Sequence, residues 1–376
     1  MRTGRDPSLH PGFLISNLSI SNLPSRNMPS PLDTQSTFTK YDKSNALTSV
    51  AMLPEQCAQA WSETKSMSFT KRHKGCTKIV ICGMGGSGLG GHIARSVFGS
   101  EMKAPLTVLN NYILPKWVDK KTLVIAVTYS GGTEEALEMF KEAVKRGYPT
   151  VAITSGGKLA AAAKRAKVPA YIFNDSKTNP AGMPRMGVGL TLFAELGILK
   201  GLGYIKLTDA DVKQSIKLML TANNAWAQST PLSKNAAKKL ATNLKGKIPM
   251  YVASEHLTGN ALTARNQTNE TAKSYSAWYE IPELNHHLME GLANPKESNK
   301  LAFVLFASNL YHKRNQKRYK LTAQVIKRNG ISVQTVPIKG STKLSQALYT
   351  LLLTGYVSFY MSMLYKLDPS LIPYVD

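Results

Sequence analysis

A glycine-rich segment behind a short apolar run is the first place where this sequence could bind an anion. Lys78–Cys82 (KIVIC) has the composition of a buried strand, and residues 83–92 (GMGGSGLGGH) contain six glycines. A strand followed by a glycine-rich turn and a helix presents free backbone N–H groups to a phosphate. The spacing G-x-G-x-x-G at Gly83, Gly85 and Gly88 also matches the dinucleotide fingerprint, so the segment predicts a phosphate site of unspecified kind.

The second predicted strand distinguishes a dinucleotide site from other phosphate sites. Dinucleotide-binding folds place Asp or Glu about 20 residues after the glycines, at the end of this strand, to hold the ribose. Here the strand ends at Asn110 and Asn111, and the nearest acidic residue, Glu101, precedes it. The sequence therefore argues against NAD and leaves open another phosphate.

A second strand–turn–helix corner, residues 128–135 (TYSGGTEE), carries three hydroxyl groups. They belong to Thr128, Ser130 and Thr133. Hydroxyls and backbone amides at the start of a helix can hold a phosphate without a lysine or a metal. Alternatively, Thr133 serves as an ordinary helix N-cap with an acidic residue in the first turn. The two interpretations are compatible.

A single arginine, Arg185, lies in a loop rich in Pro and Gly (NPAGMPRMG) directly before a predicted helix. A loop arginine of this kind is either a solvated surface charge or a cation held for an anionic ligand. The spacing does not choose between them.

Residues 265–290 contain the densest group of titratable side chains. Two histidines and several glutamates suggest a metal, but the spacing lacks H-E-x-x-H and cysteine support, so we predict no metal site. Glu270 on a helix, with His286 sixteen residues later beyond a proline-marked turn, suits acid–base chemistry better. The alternative is a row of helix-surface charges.

The elements that must position these residues follow an alternating pattern. Strand-like runs of four to eight residues alternate with helical patterns of about 10–15 residues, which predicts βαβ units and parallel sheets. The helical patterns include residues 187–200, 260–278 and 344–365. We predict an α/β fold with residues 1–32 as a disordered extension and two domains, 33–203 and 204–376, each a mainly parallel sheet flanked by helices.

The charge is strongly basic, with 47 Lys and Arg against 23 Asp and Glu and a net charge of +24. No acidic residue occurs from 299 to 367. A basic face can bind nucleic acid or anionic substrates. Because no aromatic–basic motif accompanies the charge, we interpret it as solvated helix surface and do not expect nucleic acid as a partner.

Two further features bear on the compartment. Three cysteines, Cys57, Cys76 and Cys82, form no metal or disulfide pattern, which indicates a reducing compartment, and we predict a cytoplasmic protein.

Residues 344–365 are uncharged over 22 positions, enough to span a bilayer. A polar residue recurs every fourth position there, so we predict a buried core helix and no membrane association.

Taken in order, the four motifs GMGGSGLGG, TYSGGTEE, PRMGVG and RNQTNETAK…PELNHHLMEG resemble the sugar isomerase (SIS) fold. More narrowly, they resemble the bifunctional phosphoglucose/phosphomannose isomerases, over about nine-tenths of the chain. The resemblance implies two SIS-type doubly wound domains, a sugar-phosphate substrate, a homodimer with a shared active site, and neither metal nor organic cofactor. A non-catalytic SIS protein that binds sugar phosphates is the alternative.

The resemblance also implies roles for individual residues. Glu270 would be the base that moves a proton between C1 and C2, and Arg185 would stabilise the enediolate. His286 would assist ring opening from the other subunit. The phosphate would be bound by Gly86, Ser87, Thr128, Ser130 and Thr133.

Three positions depart from the family pattern. The family more usually has Ser at the position of Thr128 and Asn at that of Gly132. It also usually carries a lysine that helps ring opening a few residues beyond a D-P-x-x segment, and none follows Asp368-Pro369 here. Either the chain given is shortened there, or ring opening depends on His286 alone.

Overall fold

The computed structural model describes residues 30–374, so the predicted extension 1–32 lies almost wholly outside the described residues. The turn Pro31–Asp33 is a 3₁₀ helix whose Leu32 is completely buried. The packed part of the chain thus begins by Ser30, slightly before the predicted start of the first domain.

The interior strands of the first parallel sheet are buried almost throughout, whereas its two edge strands are partly exposed. Residues 79–82, in an interior strand of this sheet, are completely buried, as expected where helices cover both faces of a parallel sheet. The strand order is β2-β1-β3-β4-β5, all parallel. The strands are β1 (Lys78–Cys82), β2 (Leu106–Leu109), β3 (Thr122–Val127), β4 (Thr150–Thr154) and β5 (Ala170–Ile172).

From residue 30 onward, eight α-helices belong to this half of the chain. Four precede the sheet and four connect or follow its strands, which gives the predicted βαβ units. They are α1 (Gln35–Tyr41), α2 (Ala46–Ala51), α3 (Leu53–Glu63), α4 (Lys71–Lys74), α5 (Gly85–Phe98), α6 (Glu134–Lys145), α7 (Gly157–Ala166) and α8 (Val188–Gly201).

The second sheet has four parallel strands in the order β7-β6-β8-β9. It repeats the relative order of the first four strands of the first sheet. Its strands are β6 (Ile248–Ala253), β7 (Ala277–Glu280), β8 (Leu301–Ala307) and β9 (Ser332–Pro337). Its helices are α9 (Asp209–Trp226), α10 (Ala236–Leu244), α11 (Thr258–Ala272), α12 (Leu284–His287), α13 (Lys313–Arg328) and α14 (Lys343–Tyr365). The α/β architecture of two parallel sheets is thereby confirmed; the domain boundaries stay predictions.

The prediction of a helix over residues 260–278 is wrong about where the helix ends. Helix α11 ends at Ala272, because Lys273 takes the left-handed conformation with φ +50°. The chain then turns into the four-residue edge strand β7, which the helical pattern had absorbed.

Helix α14 is the predicted apolar helix, and its burial is confirmed. By length and composition it could cross a membrane, yet its apolar stretch is completely buried inside the protein. It packs against α9, α10 and α11. Its recurring polar side chains bond inward; Thr354, for example, donates to Gln267 Oε1 at 2.9 Å.

Candidate functional site

Two loops meet at the carboxyl edge of the first sheet. The glycine-rich segment leads from β1 into α5, and Ser87 Oγ accepts a hydrogen bond from the Tyr129 N–H at 2.9 Å. A Cβ added to Gly86 would lie 2.7 Å from the backbone nitrogen of Arg185. Glycine at position 86 is therefore required for the start of α5 to pack against the loop that carries Arg185. These contacts bring together the glycine-rich segment, the TYSGGTEE corner and the loop of Arg185.

The corner between β3 and α6 has the properties of an anion site. Thr128 Oγ1 and Thr133 Oγ1 are 2.7 Å apart, and Ser130 Oγ accepts from the Gly132 N–H at 3.3 Å. Thr133 stands at the N-cap position of α6, but its side chain makes no capping hydrogen bond. The first-turn N–H groups of α6 thus lack the acceptor that the N-cap interpretation would supply, while the hydroxyls lie beside them.

The Arg185 loop is held rigidly by buried amide side chains. Gln56 Nε2 donates to the carbonyl oxygen of Met186 at 2.9 Å, and Gln56 Oε1 accepts from the Gly189 N–H at 3.2 Å. Asn179 Nδ2 donates to the Met183 carbonyl at 3.1 Å. Sequence reasoning missed these amides, because nothing in their local spacing marks them.

Arg185 itself is only 1% exposed, so the surface-charge interpretation of this residue is wrong. Its Nε donates to Thr271 Oγ1 at 3.3 Å. Its Nη2 donates to the carbonyl oxygens of Pro369 and Ser370 at 2.7 and 2.8 Å. The guanidinium is thereby oriented by partners from the end of α11 and from the segment after α14.

Arg185 and Glu270 face each other across the two halves of the chain. Arg185 Nη1 lies 3.7 Å from Glu270 Oε2, and the Glu270 side chain keeps 30% of its surface exposed. Burial raises the pKa of Glu270 above its usual 4.5, while the positive charges of Arg185 and Lys273 oppose that rise. A carboxylate of increased basicity that still reaches solvent beside a fixed cation can take a proton from a bound carbon acid.

Lys273, which falls in the titratable group of residues 265–290, and the segment 368–370 also belong to this neighbourhood, although sequence reasoning gave neither of them a role here. Lys273 Nζ donates to the Asp368 carbonyl at 2.5 Å. The partners come from the ends of α11 and α14, far apart in sequence, so only the packing of these helices reveals the contact.

His286 does not meet Glu270 within one chain. Helix α11 connects two parallel strands, so it runs from the carboxyl edge of the second sheet back to the amino edge, where Glu270 lies. Strand β7 then returns to the carboxyl edge, and the exposed His286 follows in α12. The 15 residues of α11 span about 22 Å, so the two side chains lie near opposite ends of the sheet.

The side chains present bear directly on metal and dinucleotide binding. Among residues 30–374, no group of three or more His, Cys, Asp or Glu side chains is placed to hold a metal ion. After β2, where a dinucleotide fold needs an acid for the ribose, Asn110 Nδ2 donates instead to the Gly83 carbonyl at 2.5 Å. The amide closes the glycine loop against β2, which disfavours a ribose at this position.

Known proteins match most of the sequence. Residues 74–194 match the SIS domain, and residues 233–376 match the bacterial phospho-glucose isomerase C-terminal SIS domain. A bifunctional phosphoglucose/phosphomannose isomerase from Caldicellulosiruptor bescii is 33% identical over 331 residues, which cover 87% of this chain and 96% of the relative. One from Aquifex aeolicus is 32% identical over 293 residues, which cover 77% of this chain and 86% of the relative.

Solved structures show the same fold at lower identity. A hypothetical protein from Thermus thermophilus superposes with a TM-score of 0.69 at 17% identity, covering 90% of both chains. A putative tagatose-6-phosphate ketose/aldose isomerase from Clostridium novyi superposes with a TM-score of 0.65, also at 17% identity, covering 86% of this chain and 90% of that one.

Proposed function

Because this chain belongs to the bifunctional phosphoglucose/phosphomannose isomerase family, we propose that it interconverts fructose 6-phosphate with glucose 6-phosphate and mannose 6-phosphate. The observation that carries the proposal is the Arg185–Glu270 pair, a base and a cation 3.7 Å apart beside a hydroxyl-rich anion corner. That the protein is a sugar-phosphate isomerase follows from its relatives; the two substrate pairs and the residue roles are the proposal.

Glu270 is the proposed proton carrier. Its carboxylate takes the proton from C2 of the open-chain aldose and returns it to C1, so one group serves both steps. Negative charge develops on the oxygens of the cis-enediolate, and Arg185, already oriented by three acceptors, stabilises it without further reorganisation. Glucose and mannose 6-phosphates differ only at C2, so protonation of the planar enediolate from either face yields one or the other.

The phosphate is proposed to bind at the carboxyl edge of the first sheet. Backbone N–H groups near Gly86 and at the start of α6 would donate to its oxygens. The hydroxyls of Ser87, Thr128, Ser130 and Thr133 would complete the site. Ser87 and Thr128 already bond to neighbouring protein groups, which fixes their rotamers before the ligand arrives.

A coupled assay tests the proposal directly. Purified protein should convert fructose 6-phosphate and mannose 6-phosphate to glucose 6-phosphate. Glu270→Gln should lower kcat by about 10²–10⁴-fold while circular dichroism and thermal unfolding stay unchanged, because general-base catalysis supplies about that factor. Glu290→Gln, an exposed carboxylate of the neighbouring segment, is the matched control. Undiminished turnover by Glu270→Gln would refute the proposed base.

The distance between Glu270 and His286 leads us to propose a homodimer in which each site combines Glu270 of one subunit with His286 of the other. Mixing the inactive variants Glu270→Gln and His286→Ala, under conditions that exchange subunits, should then restore activity. Half of the dimers are mixed and each has one intact site, so about a quarter of wild-type activity is expected. Failure to regain activity in verified heterodimers would show that the site is not shared.

A further inference from the structure

Tyr129 lies in the middle of the proposed phosphate site, yet its side chain belongs to a different set of contacts. Its neighbours in the chain, Thr128 and Ser130, supply two of the proposed phosphate-binding hydroxyls, and its N–H donates to the hydroxyl of Ser87, a third, at 2.9 Å. The residue is only 3% exposed, and its ring contacts the loop that carries Arg185. One residue therefore touches both the proposed phosphate site and the loop of the proposed catalytic cation.

The phenol group of Tyr129 is joined to this loop by a buried amide. Its O–H donates to Asp175 Oδ2 in a short hydrogen bond, and its oxygen accepts from Asn179 Nδ2 at 2.6 Å. The same amide nitrogen donates to the Met183 carbonyl at 3.1 Å. Burial and the hydrogen bond to Asp175 raise the pKa of Tyr129, so the phenol keeps its proton and continues to donate.

The ring of Tyr129 also packs against the far end of the same loop. A Cβ added to Gly187 would lie 2.7 Å from the phenol oxygen, so only glycine lets the ring approach this closely. Phe173 meets the ring edge-on from another direction, with the ring centroids 5.0 Å apart. Met183 and Gly187 stand two residues before and two residues after Arg185. The phenol is therefore in contact, directly or through one amide, with both flanks of the arginine.

These contacts connect two events that the proposed reaction needs together. The phosphate on C6 is chemically unchanged, whereas the proton moves between C2 and C1. Binding energy from a non-reacting group can bring the reacting groups into place, and it then raises kcat instead of lowering KM. An anion bound at Ser87 and at the TYSGGTEE corner constrains the backbone of Tyr129, and the phenol carries that constraint to the backbone of Arg185.

We propose that Tyr129 is a positioning residue, which couples binding of the substrate's phosphate dianion to the placement of Arg185. The phosphate thereby activates the site for proton transfer in addition to holding the substrate. Tyr129 touches no reacting atom, and no covalent step is assigned to it. The inference rests on the proposed isomerase function.

The test separates the phosphate from the reacting part of the substrate. D-Xylose corresponds to C1–C5 of glucose 6-phosphate without the phosphate-bearing carbon, and phosphite dianion serves as the detached anion. Exchange of the C2 proton of D-xylose in D₂O is followed by NMR, with and without phosphite. Wild-type protein should exchange this proton about tenfold faster, or more, at saturating phosphite, because the anion supplies the activating interaction. Absence of stimulation in the wild type would overturn the proposal.

Tyr129→Phe keeps the ring and removes the hydrogen bonds to Asp175 and Asn179. It should abolish the stimulation by phosphite and lower kcat on fructose 6-phosphate by about 10²-fold, the cost of misplacing a catalytic group by about an ångström. KM, and the inhibition constant of inorganic phosphate, should stay within about threefold of wild type, because the hydroxyls and amides of the corner are unchanged. A higher KM with unchanged kcat would show that Tyr129 only helps to bind phosphate, against the proposal.

Tyr171→Phe is the matched control for the loss of a buried phenol hydroxyl. Tyr171 is 5% exposed, and its O–H donates to Glu63 Oε2 at 2.5 Å, between β5 and α3. Both variants should lower the melting temperature to a similar extent, but only Tyr129→Phe should lose the stimulation by phosphite. Equal kinetic losses in the two variants would assign the effect to general stability and refute the coupling.

Asn179→Ala breaks the same connection from the side of the loop. It should reproduce the kinetics of Tyr129→Phe, and the double variant should lose little more than the more affected single variant, because both substitutions act through one contact. Fully additive losses would mean that the two residues act independently, which contradicts the proposal. If the wild-type protein does not turn over fructose 6-phosphate at all, the proposed function itself fails.

Discussion

The carboxyl edges of the two sheets occupy the same topological position yet hold different chemistry. In the first sheet, the helix after β3 begins without a side-chain cap, beside the hydroxyls of Thr128 and Thr133. In the second sheet, the helix after β8 begins beside a carboxylate. Glu255 Oε1 accepts from the His312 N–H and from Asn315 Nδ2, both at 2.8 Å.

The two sheets share an architecture without sharing a site. Glu255 follows β6, at the place where the glycine loop follows β1, and its φ of +48° belongs to the left-handed region. The protein's own carboxylate thus lies at the start of α13, whereas no side chain caps the start of α6. The second half contributes to the candidate site from its opposite edge instead, through Glu270 at the end of α11.

The largest loss of activity is expected from a substitution that forces apart the two loops at the carboxyl edge of the first sheet. In Gly86→Ala the new Cβ would meet the backbone of Pro184 and Arg185 at 2.7 Å, and backbone cannot swing aside. The glycine loop and Arg185 must then separate, and kcat/KM should fall by more than about 100-fold, as misplacement by an ångström can cost that much. Gly201→Ala, whose Cβ would meet only the Phe69 ring at 3.6 Å, should leave the kinetics unchanged. An active Gly86→Ala would show that the close approach is dispensable.

Removing one hydroxyl group at each carboxyl edge should have a smaller effect, and KM should change only for the first sheet. Thr133→Val should raise KM about tenfold, equivalent to about 1.4 kcal/mol for one lost hydrogen bond to a charged phosphate. Ser308→Ala, after β8, should leave KM unchanged but lower stability by about 1–3 kcal/mol, because Ser308 Oγ donates to buried Gln346 Oε1 at 2.5 Å. Steady-state kinetics and urea unfolding measure the two effects. The comparison fails if Ser308→Ala alters KM as much as Thr133→Val does.

The smallest effect is expected from removing the Glu255 carboxylate at the carboxyl edge of the second sheet. Glu255→Ala should lower stability by about 1 kcal/mol through loss of the carboxylate at the start of α13, with kinetics unaffected. Inorganic phosphate should then raise the melting temperature of this variant more than that of the wild type, as measured by thermal unfolding in phosphate and in chloride. An equal shift in both proteins would mean that the second edge cannot accept an external anion even when vacated.

Strands with continuous apolar runs could be predicted closely from sequence. β1 has the expected bounds, Lys78–Cys82, since a run buried on both faces needs no partner to be recognised. β7 could not be predicted, because AWYE is short, lies at a sheet edge and follows directly on a helical pattern. Its existence depends on pairing with β6.

The site was predictable in part. The two candidate phosphate corners follow from local strand–turn–helix patterns, and the proximity of Arg185 to Glu270 agrees with the family resemblance. Nothing local indicates that Pro369 and Ser370 orient Arg185, or that Asp368 holds Lys273. Those contacts join segments across most of the chain, and they exist only after α14 has packed. The roles assigned to these residues stay predictions until the variants are measured.

The position of α14 in the chain has a consequence for synthesis. Helices α1 and α2 are among the first parts described to leave the ribosome, and both contact α14, which follows every strand. The second half cannot close its core until α14 has emerged, so apolar faces of α9, α10 and α11 stay uncovered during translation. Folding of this half is therefore delayed until α14 is available, and the nascent chain exposes these apolar faces until then.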